Sequence, residues 1–162
     1  MTTLTFADWQ QRARDLRIEG RAFIQGEYTA PSAGASFDCI SPVDGRVLAQ
    51  VASCDEADAD RAVISARMAF ESGVWSRLAP AKRKATMIRF ANLIQANAEE
   101  LALLETLDMG KPISDSLGID IPGSANALRW AGEAIDKVYD EVAPTPHDQL
   151  GLVTREDRKS VV

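Results

Sequence analysis

Two cysteines and one histidine stand in 162 residues. Cys39 and Cys54 cannot make a disulfide framework, so a reducing, cytoplasmic setting is the expectation. A lone His147, between Pro146 and Asp148 in a solvent-facing turn, argues against a His-rich metal site or a Ser-His-Asp relay. No apolar run approaches the length of a membrane span. Met1 to Gly20 carries charges and glutamine throughout, unlike the hydrophobic core of a secretory signal. Positive charge is also scarce: 18 Lys and Arg face 24 Asp and Glu, for a net charge of −6. That disfavours nucleic acid and anionic membrane as partners. Lys82-Arg83-Lys84, the one compact basic cluster, reads as a solvated helix face.

What is present is globular. Apolar residues make up 46% and charged residues 26%, enough for one ordinary domain. Thr5 and Asp8 resemble a capping box, and Phe6, Trp9, Ala13 and Leu16 recur at helical spacing, which predicts a helix ending near Gly20. Between Arg21 and Ala52 the pattern turns to short strands. Ala22 to Ile24 and Glu27 to Tyr28 form a hairpin with positive φ at Gly26, and Ser36 to Ile40 and Val47 to Val51 flank a Pro-Val-Asp-Gly turn.

Ser53 and Glu56 are expected to cap the next helix, with Ala59, Ala62, Val63, Ala66, Ala69 and Phe70 inward and Gly73 as its stop. Pro80 opens another helix, with Met87, Ile88, Ala91 and Ile94 on its face. Asn97 restarts the pattern for Leu101, Leu104 and Leu107. A last helix is expected from about Pro122 to Asp140, followed by strands at Glu141 to Thr145 and Leu150 to Glu156. Helices thus cluster in the middle with β pieces at both ends, and no solid apolar strand offers a central parallel sheet. The helix faces look uncovered.

The stretch E-T-L-D-M-G-K-P (105 to 112) contains a Gly-Lys pair, yet it is no phosphate loop. Glu105 stands where the first glycine belongs, Pro112 where the hydroxyl belongs, and a helix precedes it instead of a strand. Gly110 reads as a left-handed helix stop, with Lys111 at the negative end of the dipole. No two glycines stand two apart, so the dinucleotide fingerprint is absent as well. Cys54 lies near a helix N-terminus, but Asp55 and Glu56 beside it oppose a thiolate. Asp55, Glu56, Asp58 and Asp60 spread over one first turn, where the dipole alone justifies them. No reaction centre emerges from these residues.

Taken together, S-P-V-D-G-R-V (41 to 47), D-A-D-R-A-V (58 to 63), Phe70 with W-S-R-L (75 to 78), L-E-T-L-D-M-G-K-P (104 to 112) and L-R-W-A-G-E-A-I-D-K (128 to 137) resemble the N-terminal part of NAD(P)-dependent aldehyde dehydrogenases. I-D-I-P-G (119 to 123) resembles the branch acting on aminoaldehydes of polyamine breakdown, such as γ-glutamyl-aminobutyraldehyde. The resemblance implies an α/β fold of which this chain holds a small antiparallel β region plus helices, without the Rossmann sheet core. Residues 1–140 would be the first part of the cofactor-binding domain, with 1–20 as a helical arm. Residues 141–156 would begin the oligomerisation element of a homo-oligomer, and 157–162 would be a non-family tail.

The family oxidises an aldehyde with NAD or NADP: a cysteine attacks, backbone and asparagine donors hold the oxyanion, and a glutamate activates water. Neither Cys39 nor Cys54 matches that nucleophile. The implied catalytic, cofactor-binding and metal residues of this chain are therefore none. Ile119 and Gly123 resemble residues lining the aldehyde tunnel. After Thr154-Arg155-Glu156 the family's Pro-x-Gly-Val phrase gives way to D-R-K-S-V-V. The expectation is a fragment, inactive alone and binding no cofactor. The alternative is a shortened subunit or helical interaction module that associates with full-length partners.

Overall fold

The computed structural model describes residues 4–154. Helix α1 (Phe6–Asp15) is opened by the expected capping box: Asp8 N–H donates to Thr5 Oγ1 at 3.3 Å and Thr5 N–H to Asp8 Oδ2 at 2.7 Å. It ends at Asp15, short of Gly20, because the chain becomes extended at Leu16 and the Gly20 carbonyl accepts from Ala52 N–H at 2.8 Å. The segment after Asp15 is recruited by a strand edge in place of a further helical turn.

Three two-stranded antiparallel sheets form, and no parallel pair occurs among the described residues. Strands β1 (Ala22–Ile24) and β2 (Glu27–Thr29) join through Gln25 (φ 58) and Gly26 (φ 82). Two positive φ values match the right-handed twist of the flanking strands. Gln25 shares a duty that the sequence assigned to glycine alone. Strands β3 (Ser36–Ile40) and β4 (Val47–Ala52) pair from Ser36–Ala52 onward, with a register slip between Cys39 and Ile40. Strands β5 (Glu141–Ala143) and β6 (Gly151–Val153) form the third pair.

Helix α2 (Glu56–Ser72) begins two residues later than the Ser53–Glu56 pair implied. Asp55 caps it and Asp58 answers as the third helical residue; it closes at Gly73 (φ 77). Helix α3 (Pro80–Ala96) carries its proline in the first turn, where the missing N–H costs nothing. Helix α4 (Ala98–Met109) stops at Gly110 (φ 73), as its sequence predicts.

The next helical path starts earlier than Pro122. A short α5 (Ile113–Asp115) leads into a π turn (Ser116–Asp120) and then α6 (Ile121–Ala134), so the regular helix also ends before Asp140. Pro122 supplies the reason for the wide turn. Its ring would press on the Gly118 carbonyl four residues back in α register. The Ile121 N–H instead reaches Ser116 O, five residues back.

Helix α6 lies along α3, and Gly132 permits the approach: a Cβ there would sit 2.9 Å from Met87 Cβ. The core is thin. Among the described residues its buried apolar members are Ala66, Ala91, Ala102, Leu103, Ile121 and Ala125, mostly alanines that remove little area from water. Val63, Met68, Phe90 and Leu93 stay exposed on α2 and α3. The chain presents 11952 Å² to solvent. A compact protein of its mass would present about 7,900 Å². The α2 face is uncovered as expected, but the Met87, Ile88 and Ala91 face of α3 is not: α6 lies on it, with Ala91 buried and Met87 and Ile88 half-buried.

Candidate functional site

With Gly110 in the left-handed region, the chain reverses and Lys111 turns back across the π turn, where its ammonium pairs with the Asp120 carboxylate. That carboxylate holds the lysine's pKa above its ordinary value. Ser116, wholly buried, lies at the start of the same turn, and Thr106 Oγ1 on α4 donates to its Oγ at 3.3 Å. The π turn is thus fastened at both of its ends. Sequence reading gave Lys111 only to the helix dipole and missed Asp120 as its partner; the spacing across a turn of unexpected width concealed it.

Ile119 and Gly123 come out on the open side of this assembly. Ile119 is 66% exposed. Outside its own helical turn, Gly123 has no heavy atom within 4 Å of the position a Cβ would take. Asn126, Ala127 and Trp130 follow Gly123 at helical spacing and are exposed as well. Trp130 stands 75% exposed, a large aromatic residue without cover. The spacing of Trp130 from Gly123 is the signal that places it on this face. Together these residues make one uncharged face, small at Gly123 and Ala127, with a single amide at Asn126 and the exposed Ile119 and Trp130 towards its ends.

Asp58 is the most completely buried charge, only 1% exposed. Ser32 donates through Oγ at 2.7 Å and through its N–H at 3.1 Å, Arg61 Nη2 at 2.5 Å, and Asp55 N–H at 3.2 Å. The Ser32 and Arg61 bonds hold its carboxyl far below the usual range. The carboxylate is fully engaged in tying the loop around Ser32 to α2. It is structural, and the dipole is only part of why it sits there.

Cys39 is not set up as a nucleophile. Cys54 is exposed, while Cys39 is partly buried and its thiol donates to Asp108 Oδ1 at 3.2 Å. That bond to a carboxylate pushes the Cys39 pKa up, opposite to what a nucleophile needs. His147 is exposed in its turn, as expected. Lys84 departs from the solvated face assigned to it: its Nζ lies 2.7 Å from Glu133 and 3.2 Å from Asp136, bracing α3 against the end of α6.

Among the described residues there is no cluster of His, Cys, Asp and Glu fit to hold a metal ion, and no helix long and apolar enough to cross a membrane. Nor do they form a glycine-rich loop of the dinucleotide-binding kind. The glycines with positive φ, at 26, 34, 45, 73 and 110, stand singly in turns and helix stops. None lies between a parallel strand and a helix N-terminus, where a pyrophosphate is bound. Thr154 closes the described residues, so the expected departure after Glu156 and the 157–162 tail lie outside them.

Residues 28–158 match the aldehyde dehydrogenase family. The NADP/NAD-dependent aldehyde dehydrogenase PuuC of Escherichia coli (strain K12) is 53% identical over 150 residues, which are 93% of this chain and 30% of that protein. The solved structure of P. syringae AldA indole-3-acetaldehyde dehydrogenase, in complex with NAD+ and IAA, is 81% identical with a TM-score of 0.93, covering 95% of this chain and 31% of that one. A γ-glutamyl-γ-aminobutyraldehyde dehydrogenase from Burkholderia cenocepacia J2315 is 55% identical with a TM-score of 0.90, covering 92% and 30%. The chain therefore spans about 30% of the length of the curated relative it matches, and by sequence and by fold it belongs to the aldehyde dehydrogenase family.

Proposed function

We propose that this segment serves a full-length NAD(P)-dependent aldehyde dehydrogenase, and that its own part is to form one wall of the aldehyde tunnel. The supporting observation is the open face at Ile119 and Gly123, in a chain whose relatives include enzymes named for long aldehydes. The wall carries no charge at Ile119, Gly123, Asn126 or Ala127 and leaves room beside Gly123. A bulky substrate fits such a wall better than acetaldehyde needs it. An aminoaldehyde of polyamine catabolism is the substrate proposed. An indole-bearing aldehyde is the second reading, favoured by the 81% identity to the indole-3-acetaldehyde enzyme.

Residues 1–140 are assigned to the first part of the cofactor-binding domain, with 1–20 as an arm. The β5–β6 pair is assigned to the oligomerisation element of a homo-oligomer, a two-stranded sheet being suited to strand addition at its edges. NAD or NADP would be held by parts of the enzyme beyond these residues, in a reducing, cytoplasmic setting. Residues here would orient the substrate and exclude water, contributing no reacting atom.

The test is Gly123→Trp in a full-length family enzyme carrying this segment. KM for γ-glutamyl-aminobutyraldehyde and for indole-3-acetaldehyde should rise, while KM for acetaldehyde holds. Equal changes for long and short aldehydes would remove Gly123 from the tunnel. Comparing kcat/KM for the two long substrates in the unmodified enzyme decides between them.

A further inference from the structure

We propose that the Lys111–Asp120 ion pair is a positioning device that sets the Ile119–Gly123 wall, and through it which aldehydes pass; this rests on the tunnel reading of that face.

The π turn is anchored on either side of Ile119. Before it, Ser116 is buried against Thr106 of α4; after it, α6 is pinned along α3 at Gly132. Between those anchors Ile119 is two-thirds exposed. Asp120 is the next residue, and a charged side chain from outside the turn takes hold of it.

The pair has the qualities of a latch. Lys111 and Asp120 side chains are only 34% and 29% exposed, so water competes less than it would for a surface pair. Lys111 follows Gly110, whose N–H caps α4 on the Thr106 carbonyl and which leaves no room for a side chain beside Pro42, so the cation starts from a defined point. A π turn is an uncommon register, met mostly as a single turn and often at functional sites. Pro122 demands the wide turn, but where the slack is taken up is decided by what holds Asp120. With the pair broken, Asp120 loses its outside hold and the adjoining Ile119 can shift with it. Neither residue would touch substrate; both act through Ile119.

The experiment uses a full-length family enzyme carrying this segment. Asp120→Asn, nearly isosteric, should raise KM for a bulky aldehyde about fivefold, the scale of a partly buried ion pair, with kcat and the acetaldehyde KM within about twofold. Lys111→Met should do the same, and Lys111→Arg, which keeps the charge, should restore most of the loss. Unchanged KM values in Asp120→Asn, or equal rises for bulky and small aldehydes, would overturn the proposal. So would a Lys111→Arg enzyme no better than Lys111→Met. Gly123→Trp separates the two ideas. If that variant fails to discriminate long from short aldehydes, the tunnel reading falls and takes this one with it. If it discriminates and Asp120→Asn does not, only the latch is lost.

Discussion

Gly110 ends α4 directly against Pro42: a Cβ placed on the glycine would lie 3.1 Å from the proline's Cγ. The helix stop and the S-P-V-D-G turn, far apart in sequence, therefore interlock. Gly110 also holds φ 73, where a side chain is strained whatever the space. Gly110→Ala should destabilise a full-length enzyme carrying this segment by about 1–2 kcal/mol. Asn, which tolerates the left-handed region, relieves the backbone strain but not the crowding at Pro42. Urea unfolding midpoints of the two variants measure this; an alanine variant as stable as its parent would mean that the turn yields freely.

Two other glycines should respond with opposite signs. At Gly132 a methyl group would meet Met87 Cβ at 2.9 Å, so Gly132→Ala is expected to push α3 from α6 and cost about 1–3 kcal/mol. At Gly123 the space is open and the backbone helical, so Gly123→Ala should stabilise by about 0.5–1 kcal/mol through helix propensity alone. Equilibrium unfolding of both variants checks the pair of signs. A stabilised Gly132→Ala would contradict the close helix contact.

Local signals in this sequence are reliable where one residue determines the local geometry. Thr5 with Asp8, Pro80, Gly73 and Gly110 each start or stop a helix where the chemistry of caps says they should. Misplaced boundaries come from competition that spacing does not reveal. Asp55 and Asp58 prevail over Ser53 and Glu56 because Asp58 is also held by Ser32 and Arg61. The helix after Pro112 is hidden by Pro122, which reads as a beginning but lies within a path accommodated by a π turn. For the candidate site, Ile119 and Gly123 are legible only through family likeness. The Lys111–Asp120 tie depends on the width of the π turn, and the exposure of Ile119 and Trp130 on which face α6 turns away from α3, neither of which spacing alone reveals.

Asp58 should give the segment an acid-sensitive joint. Its folded carboxyl titrates below that of the unfolded chain, near about 3.9. A depressed pKa contributes stability that is complete above the unfolded value and lost as pH falls through the folded one. Asp58→Asn should therefore be clearly less stable than its parent at neutral pH, with the gap narrowing as pH drops below about 4. Thermal midpoints of both proteins across that range test it. A gap independent of pH would show that the charge of Asp58 is not what ties Ser32 to α2.

The decisive measurement is NADH or NADPH formation by the purified 162-residue chain, given NAD+ or NADP+ respectively and a panel of long and short aldehydes, beside a full-length family enzyme as the positive control. If, as proposed, the segment contributes only a tunnel wall, it should give no turnover with any aldehyde. Turnover that persists after contaminating host enzymes are removed, and that scales with the amount of this chain, would contradict that division of labour.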